Sequence, residues 1–183
     1  VLRHLLIRTS QDDREAVAML VVTDNDKSLR APIRAFMNSS ERPDSFFINI
    51  HDEPGPYMVG SRTLRIAGNR HIRERINGMS FLISPTAFFQ TNALAASALQ
   101  RLVVSAFEGS RALDLYCGSG LLTLGLAERA TRVTGIEENT QAIQDAEENA
   151  RINRIASNRV RFVRGKVEDV LGLIGLKLRL LFW

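Results

Sequence analysis

The stretch Ala112-Leu113-Asp114-Leu115-Tyr116-Cys117-Gly118-Ser119-Gly120 constrains this chain most. A short apolar run ends in a glycine-rich turn, and Leu121–Arg129 follows at once as a good helix former, which together make the first half of a βαβ nucleotide site. The alternation then repeats. Arg132–Ile136 reads as a strand ending in Glu137-Glu138, Thr140–Asn153 as a helix, and Val160–Arg164 as a third strand followed by Glu168-Asp169. Strands alternating with helices predict an α/β chain with a parallel, right-handed, doubly wound sheet. Ligands of such sheets lie beyond the carboxyl ends of the strands, so Tyr116 to Gly120, Glu137-Glu138 and Lys166 to Asp169 are expected to converge on one crevice.

The residues around the turn discriminate between nucleotides. A dinucleotide fingerprint reads G-x-G-x-x-G, and its third glycine position is Thr123 here. Asp114 beside the turn opposes a pyrophosphate but attracts the sulfonium and amino group of S-adenosylmethionine, directly or through water. Glu137, ending the second strand, is spaced to accept hydrogen bonds from ribose hydroxyls in either cofactor class. The combination favours S-adenosylmethionine, with an NAD(P)-dependent oxidoreductase as the less favoured alternative. Cys117 in this setting reads as a small buried hydrophobe rather than a nucleophile.

Upstream the pattern differs. Residues 1–78 read as a smaller β-rich α+β region: Leu2–Arg8 and Ala16–Thr23 form a hairpin or meander around Ser10 to Asp13, Pro32 to Met37 opens a short helix, and Ser45–Ile50 is a strand. Asp52 to Pro56 predicts a turn, with a further strand over Tyr57–Ser61. Between residues 62 and 75 lie Arg62, Arg65, Arg70, Arg73 and Arg75 with His71, opposed only by Glu74. That density suits phosphate contact, although an ordinary solvated face has the same composition. Residues 79–108 form a connecting strand, Met79–Ser84, and a helix, Ala93–Phe107, entered through Phe88-Phe89-Gln90-Thr91-Asn92. Phe88 and Phe89 cannot both face one core, and Asn92 is a suitable helix cap. Residues 109–183 then hold the parallel sheet.

Composition removes other classes. One cysteine excludes an intrachain disulfide framework and fits a reducing, cytoplasmic setting, and three scattered histidines lack metal-ligand spacing. No apolar run approaches the roughly 20 residues of a membrane span, and residues 1–20 lack the order of a signal peptide. Neither a metal nor a membrane is expected as a partner. The net charge of +4 permits an anionic partner without requiring one.

Two motifs in order identify a resemblance. Phe81-Leu82-Ile83-Ser84-Pro85-Thr86-Ala87-Phe88-Phe89-Gln90-Thr91-Asn92, followed about twenty residues later by the Ala112 to Gly120 stretch, resembles the RNA uracil-5-methyltransferases that act on tRNA and 23S ribosomal RNA. The similarity spans roughly residues 45–170. It implies a Rossmann-like S-adenosylmethionine-binding sheet, here its first three strands, with RNA as partner. Gln90 matches the family's cofactor-contacting glutamine, Tyr116 the aromatic residue of its glycine loop, Glu137 its ribose-binding acid, and Gly118 and Gly120 the glycines that admit the methionine moiety. Leu121 and Lys166 depart from residues that relatives carry near the cofactor.

The resemblance also implies a cysteine thiolate that adds to C6 of uracil, so that C5 attacks the methyl donor, and a base that removes the C5 proton. Those groups belong to later strands. Trp183 falls about where the fourth strand would lie, so the chain reads as C-terminally incomplete, and no residue is assigned a catalytic role. Lys177 to Trp183 offers a substitute strand, and Arg62, Arg65, Arg70, Arg73 and Arg75 are the RNA-contact candidates. An uncovered edge on the sheet's first strand predicts self-association. The alternative to an enzyme is a non-catalytic S-adenosylmethionine- or RNA-binding remnant.

Overall fold

The computed structural model describes residues 2–11, 14–54 and 58–174, with side chains to residue 172. The substitute strand at Lys177 to Trp183 and the tip of the Asp52 to Pro56 turn lie outside the described residues. The chain divides into two compact units, one formed by Val1–Thr86 with Thr91–Ala93 and the other by Ala87–Gln90 with Leu94–Trp183.

The first unit contains a four-stranded sheet in the order β1 (Leu2–Thr9), β2 (Ala16–Val22), β3 (Ser45–Ile50), β4 (Arg62–Ala67). β1 and β2 form the expected antiparallel hairpin. β2 and β3 run parallel and so need a crossover, which a 3-10 turn over Lys27–Leu29 and helix α1 (Arg30–Met37) supply. Pro32 is tolerated because it falls in the first turn of α1, where its missing N–H has no partner to lose. Ile33 of α1 packs with Ala18, Val22, Phe46 and Ile48, and Phe36 meets Phe46 edge-on with ring centroids 6.1 Å apart.

One reading of this unit is corrected. The strand expected over Tyr57–Ser61 is absent from residues 58–61, which form bends, and pairing starts only at Arg62. The cause is Asn49, fully buried on β3: its amide donates to the Gly60 carbonyl at 2.9 Å and its oxygen accepts from the Gly60 N–H at 2.7 Å. A side chain thus satisfies the backbone groups that a ladder would otherwise use. The basic stretch spans parts of two strands. Arg62 and Arg65 lie on β4, while Arg73 and Arg75 lie on β5 (Ile72–Ile76), which pairs antiparallel with β6 (Met79–Ile83). Along β5, Ile72, Glu74 and Ile76 are buried and the two arginines exposed, the period of two that a half-buried strand imposes.

The second unit holds helix α2 (Ala93–Ala106) from Leu94 onward and a parallel sheet in the order β7 (Arg111–Leu115), β8 (Arg132–Glu137), β9 (Val160–Arg164). Helices α3 (Leu121–Leu126) and α4 (Thr140–Ile152) make the two crossovers, and α5 (Val167–Ile174) follows β9. This is the Rossmann-like arrangement of three successive strands that the alternation predicts. Val133 and Ile136 of the middle strand are fully buried, as are Leu124 of α3 and Ala142 and Ala146 of α4. Asn139 caps α4, accepting from the N–H groups of Gln141 and Ala142. The Arg159 guanidinium closes the end of α3 by donating to the carbonyls of Ala127 and Ala130 at 2.6 and 2.7 Å. Among the described residues no helix is long and apolar enough to cross a membrane, and no cluster of His, Cys, Asp and Glu suits a metal ion.

Candidate functional site

The carboxyl ends of β7, β8 and β9 lie side by side because the strands pair in parallel, Leu115 beside Ile136 and Glu137 beside Arg164. At the first of these ends the backbone turns sharply. Tyr116 adopts φ +60°, Gly118 φ +52° and Gly120 φ +91°. The two glycines are required here for space as well as conformation, since a Cβ on Gly118 would sit 3.0 Å from the Phe88 carbonyl oxygen and one on Gly120 3.3 Å from the Ala146 Cβ. The result is a cradle of bare backbone between β7 and α3. The contact from Phe88 also places the 87–90 segment against the cradle.

Glu137 links the first strand's loop to the second strand's. One carboxylate oxygen accepts from the Gly118 N–H at 3.1 Å and the other from the Asn139 N–H at 2.9 Å. The carboxylate is only partly buried, so both oxygens keep a lone pair for a further donor.

Asp114 is held differently. The hydroxyl of fully buried Thr123 donates to its Oδ2 at 2.6 Å. Burial nonetheless dominates, with the neighbouring Glu137 charge adding to it, and raises the Asp114 carboxyl to about 6 against the pull of Thr123. Cys117 is buried, its N–H bonded to the Ile136 carbonyl at 3.0 Å, and Gly135 leaves the room that its sulfur, the Thr123 hydroxyl and the Phe162 ring occupy. Burial first, then the charges of Asp114 and Glu137, push the Cys117 thiol well above its usual range. It is a protonated packing residue, not an activated nucleophile.

Tyr116 is 62% exposed, and its hydroxyl donates to Glu168 at the start of α5, 2.8 Å away. That bond, ahead of a smaller desolvation effect, raises the phenol above its ordinary range. The Glu168 carboxyl is lowered, first by its backbone N–H and then by Tyr116.

The residues that the sequence singled out therefore divide between the units. Asp114, Tyr116, Gly118, Gly120 and Glu137 gather at one end of one sheet, with Gln90 exposed in the same unit two residues beyond the Phe88 contact. Phe89 is buried while Phe88 is exposed, as their adjacency requires. Arg62, Arg65, Arg70, Arg73 and Arg75 are exposed in the other unit, and Lys166 is exposed beyond β9.

Two residues that sequence reasoning missed hold the cradle from behind. The buried Gln100 amide of α2 donates to the Leu121 carbonyl at 2.7 Å, and the buried Asn149 amide of α4 donates to the Ser119 carbonyl at 3.0 Å. For Gln100 a signal existed: it stands four residues after buried Ala96, a polar side chain on the inward stripe of an otherwise apolar helix.

Comparison with known proteins agrees with this geometry. A family model described as a methyltransferase domain matches residues 106–177. The 23S rRNA (uracil(747)-C(5))-methyltransferase of Pyrococcus horikoshii is 39% identical over 135 residues, which are 74% of this chain and 32% of the relative. An uncharacterized RNA methyltransferase of Gloeobacter violaceus is 34% identical over 174 residues, 93% of this chain and 38% of the relative. Among solved structures, the Pyrococcus abyssi tRNA (uracil-54, C5)-methyltransferase in complex with S-adenosyl-L-homocysteine superposes with a TM-score of 0.71 at 29% identity, covering 90% of this chain and 39% of that one.

A parallel sheet with a glycine cradle after its first strand and a tethered acid at the end of its second, matched by that family model, is the core of a Rossmann-like methyltransferase. The chain spans about a third of the length of the curated relatives it matches. Within that class it is similar, as a part of longer relatives, to the RNA uracil-5-methyltransferases.

Proposed function

We propose that the second unit binds S-adenosylmethionine at the carboxyl ends of β7, β8 and β9, and that the chain forms the cofactor-binding part of an enzyme that methylates C5 of uridine in RNA. The observation that carries this reading is the Glu137 carboxylate, fastened to the Gly118 and Asn139 N–H groups at 3.1 and 2.9 Å. An acid held at the mouth of a glycine cradle with lone pairs to spare suits a ribose diol. The backbone of Gly118 and Gly120 admits the methionine portion, Asp114 faces its positive charge, and Gln90 adds a polar contact from the preceding segment. Thr123, occupied with Asp114, stands where a dinucleotide fingerprint has glycine, which speaks against NAD.

The cofactor supplies an electrophilic methyl group. Uracil C5 becomes nucleophilic enough to take it only after a thiolate adds to C6, and the sole cysteine of these 183 residues is the buried, protonated Cys117. The nucleophile therefore comes from outside residues 1–183, and the chain alone binds without turning over. β7 pairs only with β8 among the described residues, so the same reading has its other edge covered by a further segment or a second copy. Sedimentation velocity distinguishes the latter, since a concentration-independent monomer excludes self-association.

Calorimetric titration of the chain with S-adenosylhomocysteine tests the reading directly. A dissociation constant near micromolar, about 8 kcal/mol, with no displacement by NAD, is expected. A folded chain that binds neither ligand overturns it. Binding without methylation of U-containing RNA is the expected behaviour of the isolated chain, and methylation by the chain alone contradicts the role given to Cys117.

A further inference from the structure

We infer that Glu168 is a positioning residue that holds the Tyr116 ring across the end of β8 as an aromatic wall for the adenine of the bound cofactor. The inference rests on the cofactor reading of this unit and adds to it a residue that neither the glycine loop nor the ribose acid accounts for.

The argument begins with the backbone. Tyr116 is a bulky residue in the left-handed region at φ +60°, where non-glycine side chains are disfavoured. Conformations of this kind persist where the surrounding structure enforces them, which is common at ligand sites. Here the turn lets Cys117 bond to Ile136 while the Tyr116 side chain leaves β7 and its hydroxyl reaches Glu168 beyond β9. The strand order is β7, β8, β9, so the two anchor points lie two strand spacings apart, about 10 Å, with the Glu137-bearing strand between them.

The bond contributes little to stability. Both groups are exposed, and water would satisfy the phenol and the carboxylate nearly as well. What the bond does fix is direction: it gives a 62% exposed ring a set orientation between the ends of β7 and β9, the strands that flank the one bearing the acid assigned to the ribose. A planar base attached to that ribose has an aromatic face to meet, and ring stacking rewards a preset geometry. Glu168 touches neither ribose nor methyl group in this arrangement and acts through Tyr116.

The test is a double-mutant cycle on the full chain, read by titration with S-adenosylhomocysteine and by tyrosine ionisation. Tyr116→Phe and Glu168→Ala are each expected to weaken binding three- to tenfold, the double variant no further than either single one, and Glu168→Gln to recover most of the loss because its carbonyl still accepts from the phenol. Without ligand, the alkaline absorbance rise of Tyr116 shifts to lower pH in Glu168→Ala, with Tyr57 as internal reference. Unchanged affinity in both single variants, additive losses, or tighter binding by Glu168→Ala, which would make the pair an obstruction, overturns the inference. Glu137→Ala separates the two readings. If it abolishes binding while the Tyr116 and Glu168 variants bind normally, the cofactor site stands and the wall falls; if the wild-type chain does not bind, the cofactor reading fails first.

Discussion

Thr123 donates its hydroxyl to Asp114 Oδ2 at 2.6 Å, so the residue standing where a dinucleotide fingerprint has glycine instead serves the carboxyl beside the cradle. Burial, only partly offset by this bond, makes Asp114 a pH-sensitive element. Its carboxyl keeps a proton up to about pH 6 in the folded chain but only to about 3.8 when unfolded, so the folded state binds more protons between those values. Stability from this site is fullest below pH 3.8 and falls by about 3 kcal/mol as pH rises through 6. Urea unfolding between pH 4 and 7.5 should show that decline in the wild-type chain, and Asp114→Asn should remove it.

The same titration links to the ligand. Ionised Asp114 attracts a cation and neutral Asp114 does not, so affinity for S-adenosylmethionine should rise with pH up to about 6 and then level off. Calorimetry across pH 5 to 8 checks this, and an equally steep rise in Asp114→Asn would assign the effect to another group.

Glu137 offers a sharper case, because both of its oxygens accept backbone N–H groups. In Glu137→Gln an amide NH2 replaces one acceptor and faces a donor. Loss of charge-assisted bonds to the loop and to the ligand should weaken S-adenosylhomocysteine binding by roughly 1–3 kcal/mol, with Glu137→Ala at least as impaired. Retained affinity in either variant would remove Glu137 from the site.

Gln100 tests the support behind the cradle. Gln100→Leu keeps the volume but leaves the buried Leu121 carbonyl without this donor, which should destabilise the chain by about 1–3 kcal/mol in denaturant unfolding. Affinity for S-adenosylhomocysteine should fall as well, since Leu121 immediately follows Gly120. A stable variant with intact affinity would show that the bond contributes nothing to the loop.

RNA binding, if it uses Arg62, Arg65, Arg70, Arg73 and Arg75, is electrostatic. Its affinity should drop steeply as salt rises, and Arg73→Ala with Arg75→Ala, on the outward positions of β5, should reduce the slope by about two phosphate contacts. An unchanged salt slope in the double variant would leave that face as ordinary solvated surface.

The order of elements in the second unit was legible from residue pattern alone. Apolar strands of about five residues, glycine at the turn, and Asn139 before an amphipathic helix each follow from local conformational preference. The first unit was less so. Nothing local distinguishes residues 58–61 from a strand, because what stops pairing there is Asn49, buried on β3 and bonded to Gly60. Similarly, the arginines between 62 and 75 read as one charge run, although the Ile72, Glu74, Ile76 alternation beneath them was present and marks a strand.

By itself, the sequence determined the α/β class, the position of the glycine cradle and the acids at the strand ends, since these depend on spacing along the chain. Only the tertiary structure decided which partners those groups have: Thr123 for Asp114, Gly118 and Asn139 for Glu137, Glu168 for Tyr116, Gln100 and Asn149 for the cradle. Hydrogen bonds between side chains and distant backbone are set by how strands and helices pack. Packing joins residues tens of positions apart, so no local preference encodes them.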